Sequence, residues 1–172
     1  MTESNVNTLN DILTQTKAWA EAVEVLESAS AKIKRLKFSS YDQILFIGCG
    51  STYYLALSAA AMMQSATGII SRGMPSSELL LSPASVFAKG KQTLLCAISR
   101  SGTTTETLRA VEKFIASQQG ALITITNHLG TPLSKMGKLN LVIPSGLEKN
   151  VAQTKSFASM YIAASGLADK AR

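Results

Sequence analysis

The sequence predicts an α/β fold: a three-layer α-β-α sandwich on a five-stranded parallel sheet, with an N-terminal helical arm. Three observations lead there. Five short apolar runs recur along the chain, helical stretches separate them, and several runs are apolar throughout instead of alternating. A parallel sheet is covered by helices on both faces, so its strands lack a polar side.

The elements follow in order. Residues 1–37 carry Leu9, Ile12, Leu13, Trp19, Ala20, Val23 and Leu26 at helical spacing, with Thr8 or Asn10 as the candidate cap. Lys32, Lys34, Arg35 and Lys37 close that segment with the charge a helix C-terminus favours. Strands are expected at 43–48, 68–71, 93–98, 121–126 and 139–143. Helices are expected at 52–66, 77–81, 103–117, 131–136 and from 155 to the end. No repeat, linker or low-complexity tract interrupts the pattern, so residues 1–40 form the arm and 41–172 one domain.

In the last helix Phe157, Met160, Tyr161, Ala164 and Leu167 make an apolar stripe. Together with the N-terminal helix it offers more apolar surface than one sheet covers, which predicts a homodimer. The sequence stops at Lys170-Ala171-Arg172 with no glycine or proline beyond. Basic residues suit a helix end, and a piece of a longer protein would read the same way.

Composition bounds the function. With 46% apolar and 16% charged residues, the 172-residue chain is long and apolar enough to bury a core. Its most apolar stretch, 53–63, is broken by Ser58 and falls short of the roughly 20 residues a membrane span needs. The N-terminus lacks a basic region followed by an apolar core, so the expected location is cytoplasmic, without a membrane partner. Cys49 and Cys96 are each read at the end of an apolar run, as reduced core thiols; no Cys/His cluster predicts a metal. The net charge of +6 suits nucleic acid or a small anionic substrate. Scattered basic residues and 6% aromatic content leave little for nucleic acid to stack on, and no such partner is expected.

Ligands of open α/β sheets sit beyond the carboxyl ends of the strands, and three junctions there stand out. Gly48-Cys49-Gly50-Ser51-Thr52-Tyr53 carries two hydroxyls into a helix start, where glycines permit a tight turn and free N–H groups favour an anion. Tyr53 replaces the third glycine of a dinucleotide fingerprint, and Arg72 stands where a ribose-binding acid belongs. Dinucleotide binding is therefore disfavoured, and no cofactor is expected. Ser99-Arg100-Ser101-Gly102-Thr103-Thr104-Thr105 is a metal-free phosphate cradle by composition, with Thr103 and Glu106 as a capping box; a well-capped polar turn is its plainer reading. The third junction, 145–155, contains Glu148, which is either a solvated loop carboxylate or a general base. His128, after the fourth strand, is the other candidate base and reads equally well as an exposed or hydrogen-bonded loop histidine.

Taken together, ILFIGCGSTYYLA, CAISRSGTTTETL and EKNVAQTKSF resemble the sugar isomerase (SIS) domain, over residues 41–172. The resemblance is to the first of two such domains in the isomerase part of glutamine–fructose-6-phosphate transaminase and in related ketose/aldose isomerases and deglycases. It implies the SIS fold and a bound phosphosugar, a hexose or hexosamine 6-phosphate. It further implies that Ser99, Ser101 and Thr104 hold the phosphate, with Arg100 where the transaminases carry glutamine. Ser51 and Thr52 match the hydroxyl pair of the first loop. Val151, Ala152 and Gln153 match the segment lining the sugar, where the transaminases have serine at Gln153. Arg100 and Gln153 lean toward the isomerase and deglycase branch. Nothing here matches the family's acid–base residues, which come from the second domain and a neighbouring subunit. Two function classes remain, part of a sugar-phosphate isomerase, deaminase or deglycase, or a non-catalytic phosphosugar sensor. An arm too short for a helix-turn-helix favours the first.

Overall fold

The computed structural model describes residues 3–87 and 90–172. Its sheet has five parallel strands: β1 (Gln43–Gly48), β2 (Ser71–Pro75), β3 (Thr93–Ile98), β4 (Gly120–Thr126) and β5 (Leu139–Val142), in the order β2-β1-β3-β4-β5. Every residue of β3 is buried, and so is all of β1 beyond Gln43. The second strand lies later than the expected 68–71. Gly68 instead ends a helix in the left-handed region (φ 71°), and Ile70 is 64% exposed. As an edge strand, β2 pairs only with β1, and its SRGMP sequence buries Met74 alone, so no apolar run marks it.

Alternate strand residues feed two cores. On one face Ile44, Phe46, Leu94, Cys96, Ile123 and Leu141 pack under α2 (Gln15–Arg35), α3 (Ser51–Thr67) and α7 (Lys155–Lys170). On the other, Leu45, Ile47, Leu95, Ala97 and Leu122 meet α4 (Ser76–Leu81), α5 (Pro83–Val86) and α6 (Thr105–Ser117). The helix expected at 131–136 is a 3-10 turn, Leu133–Lys135, pinned by buried Leu133.

The arm departs from a single helix. It is α1 (Glu3–Leu13) followed by α2, broken at Thr14, whose N–H and hydroxyl both donate to the Asn10 carbonyl. The buried stripe of α2 is Ala18, Ala22, Leu26, Ala29 and Ile33, not the bulkier set containing Val23, which is 49% exposed. The two helices approach closely where Gly166 of α7 makes room for Leu26 of α2; a Cβ there would lie 2.3 Å from Leu26 Cδ1. In turn α2 helps cover the α7 stripe: Met160, Ala164 and Leu167 are fully buried within the chain, Phe157 is partly buried and Tyr161 is 37% exposed. Among the described residues, no helix is long and apolar enough to cross a membrane.

Close contact also fixes the edge strand. A Cβ on Gly73 would lie 2.6 Å from the α3 backbone at Ala56 and Leu57. Gly73→Ala must push α3 off β2, and overpacking of this kind destabilises by about 1–3 kcal/mol. A urea midpoint lowered by the corresponding amount is expected; an unchanged midpoint would show that α3 shifts freely.

Candidate functional site

The strand order creates a crevice. From the adjacent strands β1 and β3 the chain leaves in opposite directions, α3 onto one face and α6 onto the other, so their loops part at the carboxyl edge. The first loop is shaped by Gly48, where a Cβ would lie 2.5 Å from the Thr52 carbonyl, and by Gly50 at φ 57°. Thr52 is buried and turned inward. Its hydroxyl donates to the Cys49 carbonyl (2.8 Å) and accepts the Cys49 N–H (2.9 Å), which locks the turn. Ser51 is half-buried and opens the helix, where no side chain caps the N–H groups. Cys49 Sγ lies 3.5 Å from Thr107 Oγ1, which in turn lies 3.0 Å from Ser76 Oγ, so this loop is tied to the first turns of α6 and α4.

The second loop gathers its hydroxyls. Ser99, buried, has its Oγ 2.9 Å from Thr104 Oγ1 and accepts the Gly102 N–H. Ser101 Oγ accepts both the N–H and the hydroxyl of Thr103 and lies 3.5 Å from Thr104 Oγ1. The expected capping box does not form. The cap residue is Thr104, α6 starts at Thr105, and no side chain bonds the helix N–H groups. The hydroxyls bond one another instead, which leaves the positive end of α6 open. Gly102, at φ 64°, is pressed against Thr131: a Cβ there would meet Thr131 Oγ1 at 2.2 Å.

Arg100 joins this loop to the third. Its Nη1 donates to the carbonyls of Asn150 (3.0 Å) and Val151 (3.3 Å) and lies 3.9 Å from Glu148 Oε1. Glu148, for its part, is not solvated. Its side chain is 0% exposed, and its carboxylate accepts the Thr154 N–H, the Thr154 hydroxyl (2.7 Å) and the Ser156 hydroxyl. It therefore anchors the start of α7 as well as the loop. Val151, by contrast, is 92% exposed, and Gln153 leaves its Oε1 buried without a partner among the described residues.

Two carboxylates reach this loop from the arm, and nothing in the sequence marked either. Asp11, 6% exposed, bonds Lys155 Nζ at 2.9 Å and accepts from Asn150 Nδ2 at 3.3 Å. Glu21 accepts the Ser145 N–H. Both stand more than 100 residues away in sequence, and no local pattern carries such a pairing. His128 lies where the third loop and α1 meet. Its N–H donates to Thr126 Oγ1, which donates to the Arg100 carbonyl, and its own carbonyl accepts from Thr131. A cavity of about 470 Å³ opens there between α1, His128 and residues 147–149 and 155. Arg72 points elsewhere and donates to the Val86 carbonyl. Both cysteines are free; burial pushes the Cys96 thiol far above its ordinary pKa, while Cys49 is half-buried.

Comparison with known proteins gives a consistent result. The SIS domain model matches residues 37–169. The glutamine–fructose-6-phosphate aminotransferase (isomerizing) of Campylobacter jejuni is 31% identical over 125 residues, 72% of this chain but 20% of that protein. The chain thus spans about a fifth of that relative's length. Among solved structures, the glucosamine-6-phosphate deaminase of Thermotoga maritima superposes with a TM-score of 0.71 and 28% identity, covering 93% of this chain and 48% of that one. A protein of Escherichia coli superposes at 0.77 with 24% identity, covering 98% and 90%, and shares the fold.

Proposed function

Because the chain belongs to the SIS domain family, we propose that it binds a phosphorylated sugar, a hexose or hexosamine 6-phosphate, as the phosphosugar-binding domain of a sugar-phosphate isomerase, deaminase or deglycase. One observation carries this reading. Ser99, Ser101, Thr103 and Thr104 converge ahead of a helix whose N–H groups no side chain caps. Such an arrangement stabilises a phosphate without a metal, because hydroxyls, backbone N–H groups and the helix dipole all present positive charge. Ser101 Oγ already accepts two hydrogen bonds, which leaves its own proton to donate either to Thr104 Oγ1 or to a ligand. Ser51, at the neighbouring open helix start, adds a further hydroxyl; Thr52 supports it by locking the turn. Val151, Ala152 and Gln153, held by the Arg100 bonds to the loop, line the sugar.

In this reading Glu148 organises the third loop. A general base needs a free lone pair facing the substrate, and this carboxylate is surrounded by Thr154, Ser156 and Arg100. The same saturation favours the second reading, a non-catalytic sensor with the same ligand chemistry. A cytoplasmic homodimer completes the proposal, with exposed Leu9, Ile12 and Leu13 on the outer side of α1 as apolar surface for the contact.

Hydrogen bonds to charged groups contribute about 1.5–3 kcal/mol, so Ser101→Ala should weaken glucosamine 6-phosphate binding about tenfold or more. Calorimetry with glucosamine and its 6-phosphate is the check, and equal affinity for the two would end the proposal. The 172-residue chain is expected to bind without moving a proton. NMR in deuterated water should show binding shifts and no exchange at C2, whereas exchange abolished by Glu148→Gln would reinstate Glu148 as the base. Sedimentation should find a dimer; a strict monomer at high concentration would count against that contact.

A further inference from the structure

Helix α1 is amphipathic in the inverted sense. Leu9, Ile12 and Leu13 share one side and are 51%, 43% and 70% exposed. Asn7, Asn10 and Asp11 share the opposite side, at the i, i+3, i+4 spacing of a single helix face, and all three line the cavity of about 470 Å³. A helix that packs on a domain normally buries its apolar stripe. Here the polar stripe is turned inward, and the cavity accounts for it.

The groups on the cavity wall divide into two sets. Asp11 and Glu148 are committed, the one to Lys155 and Asn150, the other to Thr154, Ser156 and Arg100. The side chains of Asn7, Asn10, His128 and Lys149 make no hydrogen bond to any described residue. Asparagine amides offer a donor and an acceptor side by side, the chemistry that recognises hydroxyl groups. The volume lies within the roughly 300–1,000 Å³ of small-molecule sites.

This wall is tied to the phosphate cradle by contacts and hydrogen bonds. Gly102 of the cradle presses on Thr131, Thr131 donates to the His128 carbonyl, and His128 faces the cavity. Arg100 makes a second link, from the cradle loop to Asn150 and thence to Asp11 of α1. The cavity wall and the loop that would hold the phosphate are thus neighbours in the fold, joined through Thr131 and through Asn150.

We infer that α1 is a wall of the ligand site, with Asn7 and Asn10 binding hydroxyl groups of the sugar while Asp11 fastens the helix to the third loop. The inference rests on the phosphosugar reading and adds to it a specificity element lying outside the matched domain, residues 37–169. Asn10 is exposed and Asn7 half-buried, and alanine is the better helix former at both positions, so the double variant Asn7→Ala/Asn10→Ala retains the fold. Calorimetry of the full chain with glucosamine 6-phosphate and with inorganic phosphate provides the test. The double variant should lose about tenfold in affinity for the sugar phosphate and keep its affinity for inorganic phosphate, whereas Ser101→Ala should lose both. Wild-type affinity for glucosamine 6-phosphate in the double variant overturns the inference alone. An equal loss for both ligands also overturns it, since α1 would then act only on the shape of the cradle. A wild-type chain that binds neither ligand overturns the phosphosugar reading and this inference together.

Discussion

A carboxylate taken out of water has to find donors and countercharge in the protein, and Glu148 draws them from two distant parts of the chain. Thr154 and Ser156 come from the start of α7, and the Arg100 guanidinium comes from the cradle loop after β3. Through that one group the third loop, the last helix and the cradle are held in register. Arg100 reinforces the arrangement by donating to the Asn150 and Val151 carbonyls, which would otherwise have to be solvated. Replacing Arg100 would take a cation from beside a buried carboxylate, and replacing Glu148 would leave the Thr154 and Ser156 hydroxyls without their acceptor.

The arm depends on the same loop. Asp11 closes on Lys155 and Asn150, and Glu21 on the Ser145 N–H, so both of its helices grip the segment that Glu148 organises. The two helices play different parts. The alanine-rich face of α2 sinks into the main core beside α7, whereas α1 has a polar inner face and an apolar outer one. The arm is thus structural at its C-terminal end and turned toward the cavity beside His128 at its N-terminal end.

The fold was legible where burial is two-sided. In β1 and β3 each residue faces a helix layer or a neighbouring strand, so the strands appear as apolar runs with the bounds seen in the structure. That logic fails at the margins. Strand β2 has only one neighbour and no apolar run, and the buried α2 stripe is built largely of alanines, which give it little apolar bulk to read. In α1 the leucines and isoleucine sit on the outer side, while Asn7, Asn10 and Asp11 line the cavity on the inner side.

The candidate site divides in the same way. Local sequence was enough to mark the glycine turn at Gly48–Gly50, the hydroxyl-rich loop from Ser99 to Thr104, and Glu148 as an unusual carboxylate. Such features depend on residues within a few positions of one another, since turns, helix starts and their dipoles are local properties. Only the tertiary structure decided which groups are already occupied. It turned Thr52 into a lock for its own loop, replaced a capping box by a network of hydroxyls, buried Glu148, and brought Asp11 to Asn150 across 139 positions of sequence. Whether a polar side chain is free for chemistry depends on which donors and acceptors the fold delivers to it, and long-range delivery of that kind leaves no periodicity or spacing for the sequence to display.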